Sequence, residues 1–193
     1  MQTTIVGGQL TIDATKVRFT NLRGMDPLSL NPVAGAKPDE ITVAIPNDAQ
    51  DMSRWTPGFY TLAMMQQRDP DVPPIVSNEL ALAVAPRITV TLEGTAVEDA
   101  EHFTVDIKIA CSPRLTAGQH ALLLFGERQV AVTSTNNPID PALPTTLTFT
   151  VFGVKAGDYV LRLRVDGVDS IPVKYNGTPP VSEFDPAQTV TVS

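Results

Sequence analysis

Short runs in which apolar and polar residues alternate place the tightest limit on the fold of this chain. The segment 88–92 reads ITVTL and the segment 103–109 reads FTVDIKI, so each run is apolar at every second position. Successive side chains of a β-strand point to opposite faces, which gives each run one dry face and one wet face. Helical periodicity is almost absent. The sequence therefore predicts an all-β protein made of half-buried antiparallel strands.

About seven strands are predicted in the second half of the chain, at the spacing typical of a β-sandwich. They lie at 88–92, 103–109, 120–126, 128–132, 147–151, 159–165 and 189–193. The first half repeats the pattern with shorter strands and one short helical turn. These strands are predicted at 9–13, 16–20, 40–45, 59–65 and 79–84, with the helical turn within 47–55. The prolines fall between the runs, where strand pairing stops.

An internal correspondence links the two halves. The segment PGFYTLAM (57–64) matches AGDYVLRL (156–163), and in each a glycine lies two residues before a tyrosine, at an offset of 99 residues. We interpret the halves as two copies of one plan, which predicts two tandem Ig-like antiparallel β-sandwich domains. The domains would span 1–85 and 86–193, with the boundary near Ala85-Pro86.

The tyrosines of this repeat have a structural interpretation. Tyr159 follows Gly157-Asp158 at the start of a late strand, as in the tyrosine corner of Ig-type sandwiches, where the hydroxyl group bonds to backbone across a loop. Tyr60 is predicted to play the same part in the first half. A catalytic tyrosine would need a neighbouring acid, base or cofactor site, and the sequence nominates none.

Charge and composition exclude several classes of function. The net charge is −7, with an isoelectric point near 4.7, and both halves are acidic, so neither offers a basic surface for nucleic acid or anionic lipid. The single cysteine, Cys111, allows neither an internal disulfide nor a cysteine-based zinc site. No run approaches the ~20 apolar residues that span a bilayer, and no signal peptide is visible. We expect no membrane insertion and a cytoplasmic location.

Motifs for catalysis or cofactor binding are not found in the sequence. It contains no phosphate-binding loop, dinucleotide fingerprint or nucleophile-elbow serine. His102 and His120 are the only histidines. Glu98, Asp99 and Glu101 beside His102 could hold a hard cation, but their spacing fits no calcium loop, and a solvated turn is favoured. We expect no enzymatic activity, no cofactor and no metal.

Three long connections are the predicted places for a partner to bind, namely 22–39, 133–145 and 174–187. Individual side chains that could contact a partner are Trp55, Tyr175, Arg162 and Arg164. For Trp55, the only tryptophan, core packing is the favoured interpretation and an exposed anchor is the alternative. The two arginines project from one face of a strand, where solvation is the default.

Two longer segments suggest a family. VSNELALAVAPRITV (76–90) and VFGVKAGDYVLRLRVDGVDS (151–170) resemble the C-terminal Ig-like region of bacterial proteins related to the cap of contractile injection systems. These are phage-tail-like particles with an inner tube, a contractile sheath and a terminating cap. VGGQLTID, DEITVAIP and WTPGFYTLAM in the first half are similar to the preceding domain of the same proteins, which is of the transcription-factor-immunoglobulin type.

The resemblance implies a structural or interaction role, with no catalytic residues. Family members generally begin with a separate α/β-type domain, which this sequence does not contain, so the chain would be the accessory C-terminal part of a cap protein or a stand-alone relative. Its partners would be tube, sheath or cap components, and the isolated chain is expected to be a monomer outside the particle.

The alternative is an extracellular adhesin-like or carbohydrate-binding module that uses Trp55, Tyr175 and nearby Asn or Asp residues. An aromatic content of only 6% makes this the second hypothesis, because glycan binding usually relies on several exposed aromatic rings.

Overall fold

The alternating runs form antiparallel strands in the computed structural model, which describes residues 2–6, 15–34, 37, 39–46, 51–99 and 101–193. The predicted class, an all-β sandwich-type fold, is confirmed. No α-helix occurs among the described residues, and two short 3-10 helices lie at Asp51–Arg54 and Pro186–Gln188. The first of them falls within the predicted helical turn. The predicted strand at 9–13 and the positions 47–50 lie outside the described residues.

The chain divides into two compact units. One consists of Met1–Arg54 with Phe59–Val84, and the other of Trp55–Gly58 with Ala85–Ser193. The main change of unit falls between Val84 and Ala85, one residue before the boundary that the sequence predicts. Four residues of the first half, Trp55–Gly58, therefore belong to the second unit, which strand patterning did not indicate.

The described residues of the first unit form seven strands. They are β1 (Gln2–Val6), β2 (Thr15–Asn21), β3 (Leu28–Leu30), β4 (Glu40–Ala44), β5 (Gly58–Gln66), β6 (Ile75–Val76) and β7 (Leu80–Val84). One sheet has the order β3-β2-β5-β6, with β7 also paired to β5, and β1 pairs with β4 in a second sheet. Val17 and Phe19 of β2 and Ile41 and Val43 of β4 are fully buried, so the alternation of both strands points to this unit's core.

Eleven strands lie in the part of the second unit that the structure describes. They are β8 (Arg87–Val97), β9 (Phe103–Ser112), β10 (Ala121–Phe125), β11 (Arg128–Ala131), β12 (Ser134–Asn136), β13 (Thr145–Val154), β14 (Gly157–Val165), β15 (Val168–Asp169), β16 (Val173–Asn176), β17 (Val181–Phe184) and β18 (Thr189–Val192). One sheet has the order β12-β13-β9-β8. The other has the order β11-β10-β14-β15, with β18 also paired to β14. β16 and β17 form a separate two-stranded sheet.

The inward faces of the two larger sheets form one hydrophobic core. Every second residue of the long strands is buried in it, which is the physical reason for the alternation in the sequence. The side chains with no exposed surface in this core are Val105, Ile107, Ile109, Cys111, Leu123, Leu147, Phe149, Leu161, Leu163 and Val165. The intervening threonines and charged residues lie on the outer faces.

Two tight turns lie where a glycine-containing dipeptide separates alternating runs in the sequence, which is the pattern that predicts a hairpin. Gly126-Glu127 joins β10 to β11, and Asp166-Gly167 joins β14 to β15. Asp166 and Gly167 have φ values of 47° and 88°, and two positive φ angles in succession match the right-handed twist of the strands they connect. Aspartate is one of the few residues other than glycine that adopts this conformation readily.

The internal correspondence also appears in the backbone. β5 and β14 are each nine residues long and begin at the matched glycines, Gly58 and Gly157. Their φ angles are 141° and 153°, in a region that side chains other than glycine rarely adopt. The matched glycines are therefore required by the same entry geometry into the same kind of strand.

Candidate interaction surfaces

Trp55 is not an exposed anchor. Only 2% of its surface is accessible, and Thr56, Pro57 and Gly58 are buried with it. The alternative in which Trp55 is an exposed anchor for a partner is therefore wrong, and its burial agrees with the favoured interpretation of core packing. The next two residues, Thr56 and Pro57, are hydrogen-bonded to Gln119 of the second unit.

Gln119 holds this segment in place. Its amide nitrogen donates to the carbonyl of Pro57 at 2.8 Å and to the carboxylate of Asp166 at 3.0 Å. Its amide oxygen accepts from the backbone N–H of Thr116 at 2.9 Å and from the hydroxyl of Thr56. All the principal hydrogen-bonding positions of the amide are used, so Gln119 connects three separate parts of the chain. Nothing in the alternation pattern marks this residue.

A cleft of about 370 Å³ lies beside Gln119. It is lined by Leu115, Thr116, Ala117, Gly118, Gln119, His120, Ala121, Val132, Thr135 and Asn137. The cleft includes no charged lysine, arginine or carboxylate side chain, and its polar members Gln119 and Asn137 are bonded within the protein. It therefore offers little for recognition of a charged ligand.

Arg162 and Arg164 are engaged within the chain. Both lie on the outer face of β14, as predicted, and both reach the same carboxylate, that of Asp169 on β15. Arg164 binds it through two nitrogens, with Nη2 at 3.0 Å from Oδ2, and Arg162 Nη1 lies 3.2 Å from the same oxygen. A partner that used these arginines would have to compete with Asp169.

The charge of Asp169 is stabilised by this pairing. The hydrogen bonds from Arg164 lower the pKa of Asp169, and the charges of Arg164 and Arg162 add to the effect. A lowered folded-state pKa means that the carboxylate contributes stability above its unfolded pKa of about 3.9 and loses that contribution as the pH falls through the lower folded value. The pair is thus fully formed at neutral pH.

Tyr159 has the geometry of a tyrosine corner. Its hydroxyl donates to the carbonyl oxygen of Lys155, four residues earlier, at 3.0 Å. Its ring packs against Phe125 with the centroids 4.5 Å apart. Tyr60, its counterpart in the first unit, is 2% exposed and lies opposite Asn21 in the sheet. For Tyr60 the corner hydrogen bond stays a prediction.

Replacing Tyr159 with phenylalanine is expected to lower the free energy of unfolding by about 1 kcal/mol, because it deletes the hydrogen bond that spans the loop and leaves the ring packing intact. Thermal or urea unfolding measures the change. Tyr175→Phe is the matched control, since Tyr175 is 69% exposed, and it should leave the stability unchanged. Equal stability of Tyr159→Phe and the wild type would contradict the structural role.

The most exposed aromatic surface lies within the predicted 174–187 connection, which contains the hairpin of β16 and β17. Alternation does not indicate these two strands, because most of their side chains are exposed and neither strand has a buried face. The hairpin interrupts the last strand of the sandwich. β15 pairs with the end of β14 and β18 with its beginning, so residues 171–188 leave the sheet between them.

The base of this hairpin is closed by a buried polar clasp. Ser170 and Gln188 are each 2% exposed, and the Ser170 hydroxyl donates to the Gln188 side-chain oxygen at 2.8 Å. The Gln188 amide donates to the carbonyl of Ile171 at 2.6 Å, and the backbone N–H of Asp185 donates to the carbonyl of Pro172 at 2.8 Å. The two ends of the excursion are therefore held together where it leaves the sandwich.

The two faces of the hairpin differ in chemistry. Phe184 pairs with Val173, and Tyr175 lies two residues along, so all three share one face. Phe184 is 63% exposed and Tyr175 69%. Lys174 and Glu183 share the opposite face, 3.9 Å apart between Nζ and Oε1. One face is thus aromatic and exposed, and the other carries the charged pair together with the exposed Val181.

The other predicted loops contain further structure. The 22–39 connection includes β3, and the 133–145 connection includes β12. In the 133–145 connection, Ile139 is fully exposed and Leu143 is half-exposed. The backbone carbonyl of Asp140 makes a weak 3.4 Å contact with Arg114, and its carboxylate accepts from the N–H of Ala142 within the same turn. These loops present isolated apolar side chains rather than a shared face.

The acidic segment before β9 forms a hydrogen-bonded turn. Asp99 accepts from the backbone N–H groups of Glu101 and His102 at 2.8 and 2.9 Å, and from His102 Nδ1. These bonds lower the pKa of Asp99. Within the described part of the chain, no three His, Cys, Asp or Glu side chains converge as metal ligands do.

Cys111 is fully buried in the core of the second unit. Burial raises the pKa of its thiol to about 12, so the group is protonated at neutral pH. The reactive thiolate form is therefore not populated.

Fold and surface together define a β-sandwich protein with an aromatic-faced hairpin inserted in its last strand. The chain belongs to the family described as a domain of unknown function (DUF8756), whose sequence model matches residues 83–192 and so covers more than half of the chain. None of the curated proteins matches the sequence significantly. In the portion that the structure describes, no helix is long and apolar enough to span a membrane.

Proposed function

We propose that this chain is a non-enzymatic structural and protein-interaction module that binds its partner through the hairpin of β16 and β17. The observation that carries the proposal is the exposed aromatic face formed by Tyr175 and Phe184 on a hairpin closed by the buried Ser170–Gln188 clasp. Aromatic side chains supply a disproportionate share of binding energy at protein interfaces. A base held in one geometry also reduces the ordering cost of binding.

In this proposal the second unit is an Ig-like sandwich. The order β12-β13-β9-β8 corresponds to strands D-E-B-A of the immunoglobulin plan, and β11-β10-β14 followed by β15 and β18 corresponds to C′-C-F-G. Tyr159 then stands at the start of strand F, where the tyrosine corner belongs. The matched entry glycines of β5 and β14 support the first unit as a second copy of the plan.

The setting proposed for the module is a contractile injection system, as the accessory C-terminal part of a cap protein assembled in the cytoplasm. The support is the resemblance of 76–90 and 151–170 to that family. The partner would be a tube, sheath or cap component. A rigid sandwich that carries a projecting contact element suits the role of a spacer between such components.

The carbohydrate-binding alternative has lost one of its two aromatic residues. It relied on Trp55 and Tyr175, and Trp55 is 2% exposed. Tyr175 remains, and Phe184 shares its face of the hairpin, but the polar side chains of Lys174 and Glu183 lie on the opposite face. We therefore keep this alternative as an outcome of the experiment that follows.

The test is capture of purified tube, sheath and cap components by the immobilised 193-residue chain at near-physiological salt. We expect one component to be retained, and the double variant Tyr175→Ala/Phe184→Ala to weaken its binding at least about tenfold, as for interface aromatics worth 1.4 kcal/mol or more. Phe152→Ala is the matched control, because Phe152 is 66% exposed on β13, outside the hairpin.

Two results would overturn the proposal. If no component is retained while a glycan array binds the chain, the carbohydrate hypothesis replaces it. If a component is retained equally by the wild type and the double variant, the hairpin is not the contact surface.

A further inference from the structure

The backbone of the hairpin has two open edges. Among the described residues, β16 and β17 pair with each other and with no other strand. The bond from the Asp185 N–H to the Pro172 carbonyl identifies 172 and 185 as a hydrogen-bonded pair of the ladder. Such pairs alternate with non-bonded pairs along antiparallel strands. The N–H and C=O groups of Ser182 and Phe184 on β17 therefore point away from β16.

The edge of β17 is the more accessible of the two. All four residues of β17 are exposed, whereas Val173 and Lys174, the first two residues of β16, are half-buried. No proline lies within β17, although Pro180 and Pro186 flank it, so its outward donors are intact. A strand added to the hairpin would meet the fewest obstacles beside β17.

The charge beside this edge is negative. Glu183 on β17 and Asp185 just after it share a single cation, Lys174, whose Nζ lies 3.9 Å and 4.0 Å from them. Exposed pairs at such distances are weak and leave one carboxylate unbalanced. A second copy of this chain is a poor occupant, because antiparallel pairing of two β17 edges would bring the carboxylates of both copies together.

We propose that the edge of β17 binds an extended segment of a partner protein by strand addition, and that this segment alternates apolar with basic residues. Its main chain would bond to the outward groups of Ser182 and Phe184, its apolar side chains would pack beside Phe184 and Tyr175, and its basic side chains would face Glu183. This inference rests on the proposed function, since it names the kind of partner that the hairpin takes.

The probe is a pair of synthetic eight-residue peptides, one alternating lysine with valine and the other alternating glutamate with valine. Each is titrated into the full chain while amide signals and amide hydrogen exchange are followed by NMR. We expect the lysine peptide to bind and to slow exchange at Ser182 and Phe184, and the glutamate peptide to have no effect.

Variants at one position test the main-chain contact. Ser182→Pro removes an outward N–H but leaves the inward donors of β17 in place, so it should weaken binding of the lysine peptide about tenfold or more. Ser182→Ala keeps the N–H and should bind like the wild type. Glu183→Lys tests charge without altering the backbone, and it should reverse the preference between the two peptides.

Binding of both peptides alike, or exchange that slows on β16 and not on β17, would overturn the inference. So would full binding by Ser182→Pro. If neither peptide binds but the Tyr175→Ala/Phe184→Ala variant still loses its particle component, strand addition is wrong while the interaction module stands. If neither peptide binds and the Tyr175→Ala/Phe184→Ala variant retains the component like the wild type, both the strand addition and the proposed interaction module are rejected.

Discussion

Replacing Trp55 with alanine is expected to lower the free energy of unfolding by about 3–5 kcal/mol, as for other buried aromatic side chains truncated in a core. The indole is 2% exposed and belongs to the second unit through the segment Trp55–Gly58. The melting temperature should fall by roughly 12 °C or more for a domain of this size. Circular dichroism during thermal and urea unfolding measures both quantities.

Phe59→Ala is the control for this prediction. Phe59 lies four residues after Trp55, outside the segment Trp55–Gly58, and is 45% exposed, so its truncation should cost much less. A Trp55→Ala variant with wild-type stability and reduced partner binding would restore the exposed-anchor hypothesis and contradict the structure.

Replacing Gln119 with alanine is expected to cost roughly 2–3 kcal/mol, although the residue is only half-buried. The substitution removes four hydrogen bonds at once and leaves the Pro57 carbonyl and the Thr116 N–H without this partner, while the Thr56 hydroxyl keeps its 3.1 Å bond to the Arg114 carbonyl. Unsatisfied polar groups cost more than the net value of the bonds they made. Urea unfolding measures the loss.

The matched control is Gln129→Ala, an exposed glutamine on β11, which should change the stability by no more than about 0.5 kcal/mol. A cycle with Thr56→Val isolates the direct contact, because Gln119→Ala should cost less in the Thr56→Val background than in the wild type. Additive effects of the two changes would show that the hydrogen bond between Thr56 and Gln119 does not contribute to stability.

Strands with one buried face could be predicted, and strands without one could not. β9 and β13 present alternate residues to the core, so their period of two is visible in the sequence. β12 and β17 are exposed along their length, and selection for burial leaves no pattern in such strands. Alternation therefore predicts a connection where the hairpin lies, although the length and prolines of the segment 174–187 mark it as a candidate place for a partner to bind.

The candidate contact residues show the same division. The sequence indicates Tyr175 but not Phe184, because Phe184 becomes a candidate only when strand pairing places it on the same face of the hairpin as Tyr175. Arg162 and Arg164 lie on one face of a strand, as predicted, and the two-residue turn at Asp166-Gly167 sets Arg164 opposite Asp169, so the register of this hairpin indicates their shared partner. Pairing across strands depends on register, which alternation leaves open.

Local rules were enough for the all-β class, the tight turn at Asp166-Gly167 and the repeat of entry glycines, because each depends on backbone conformation or on burial within one segment. Groups from distant parts of the chain must meet in space to bury Trp55, to form the hydrogen bonds of Gln119 and to build the aromatic face of the hairpin. Gln119 is more than sixty residues from Pro57, and no local preference encodes that approach. Such contacts form only when the sheets have packed, since packing decides which polar groups lose water and must find partners.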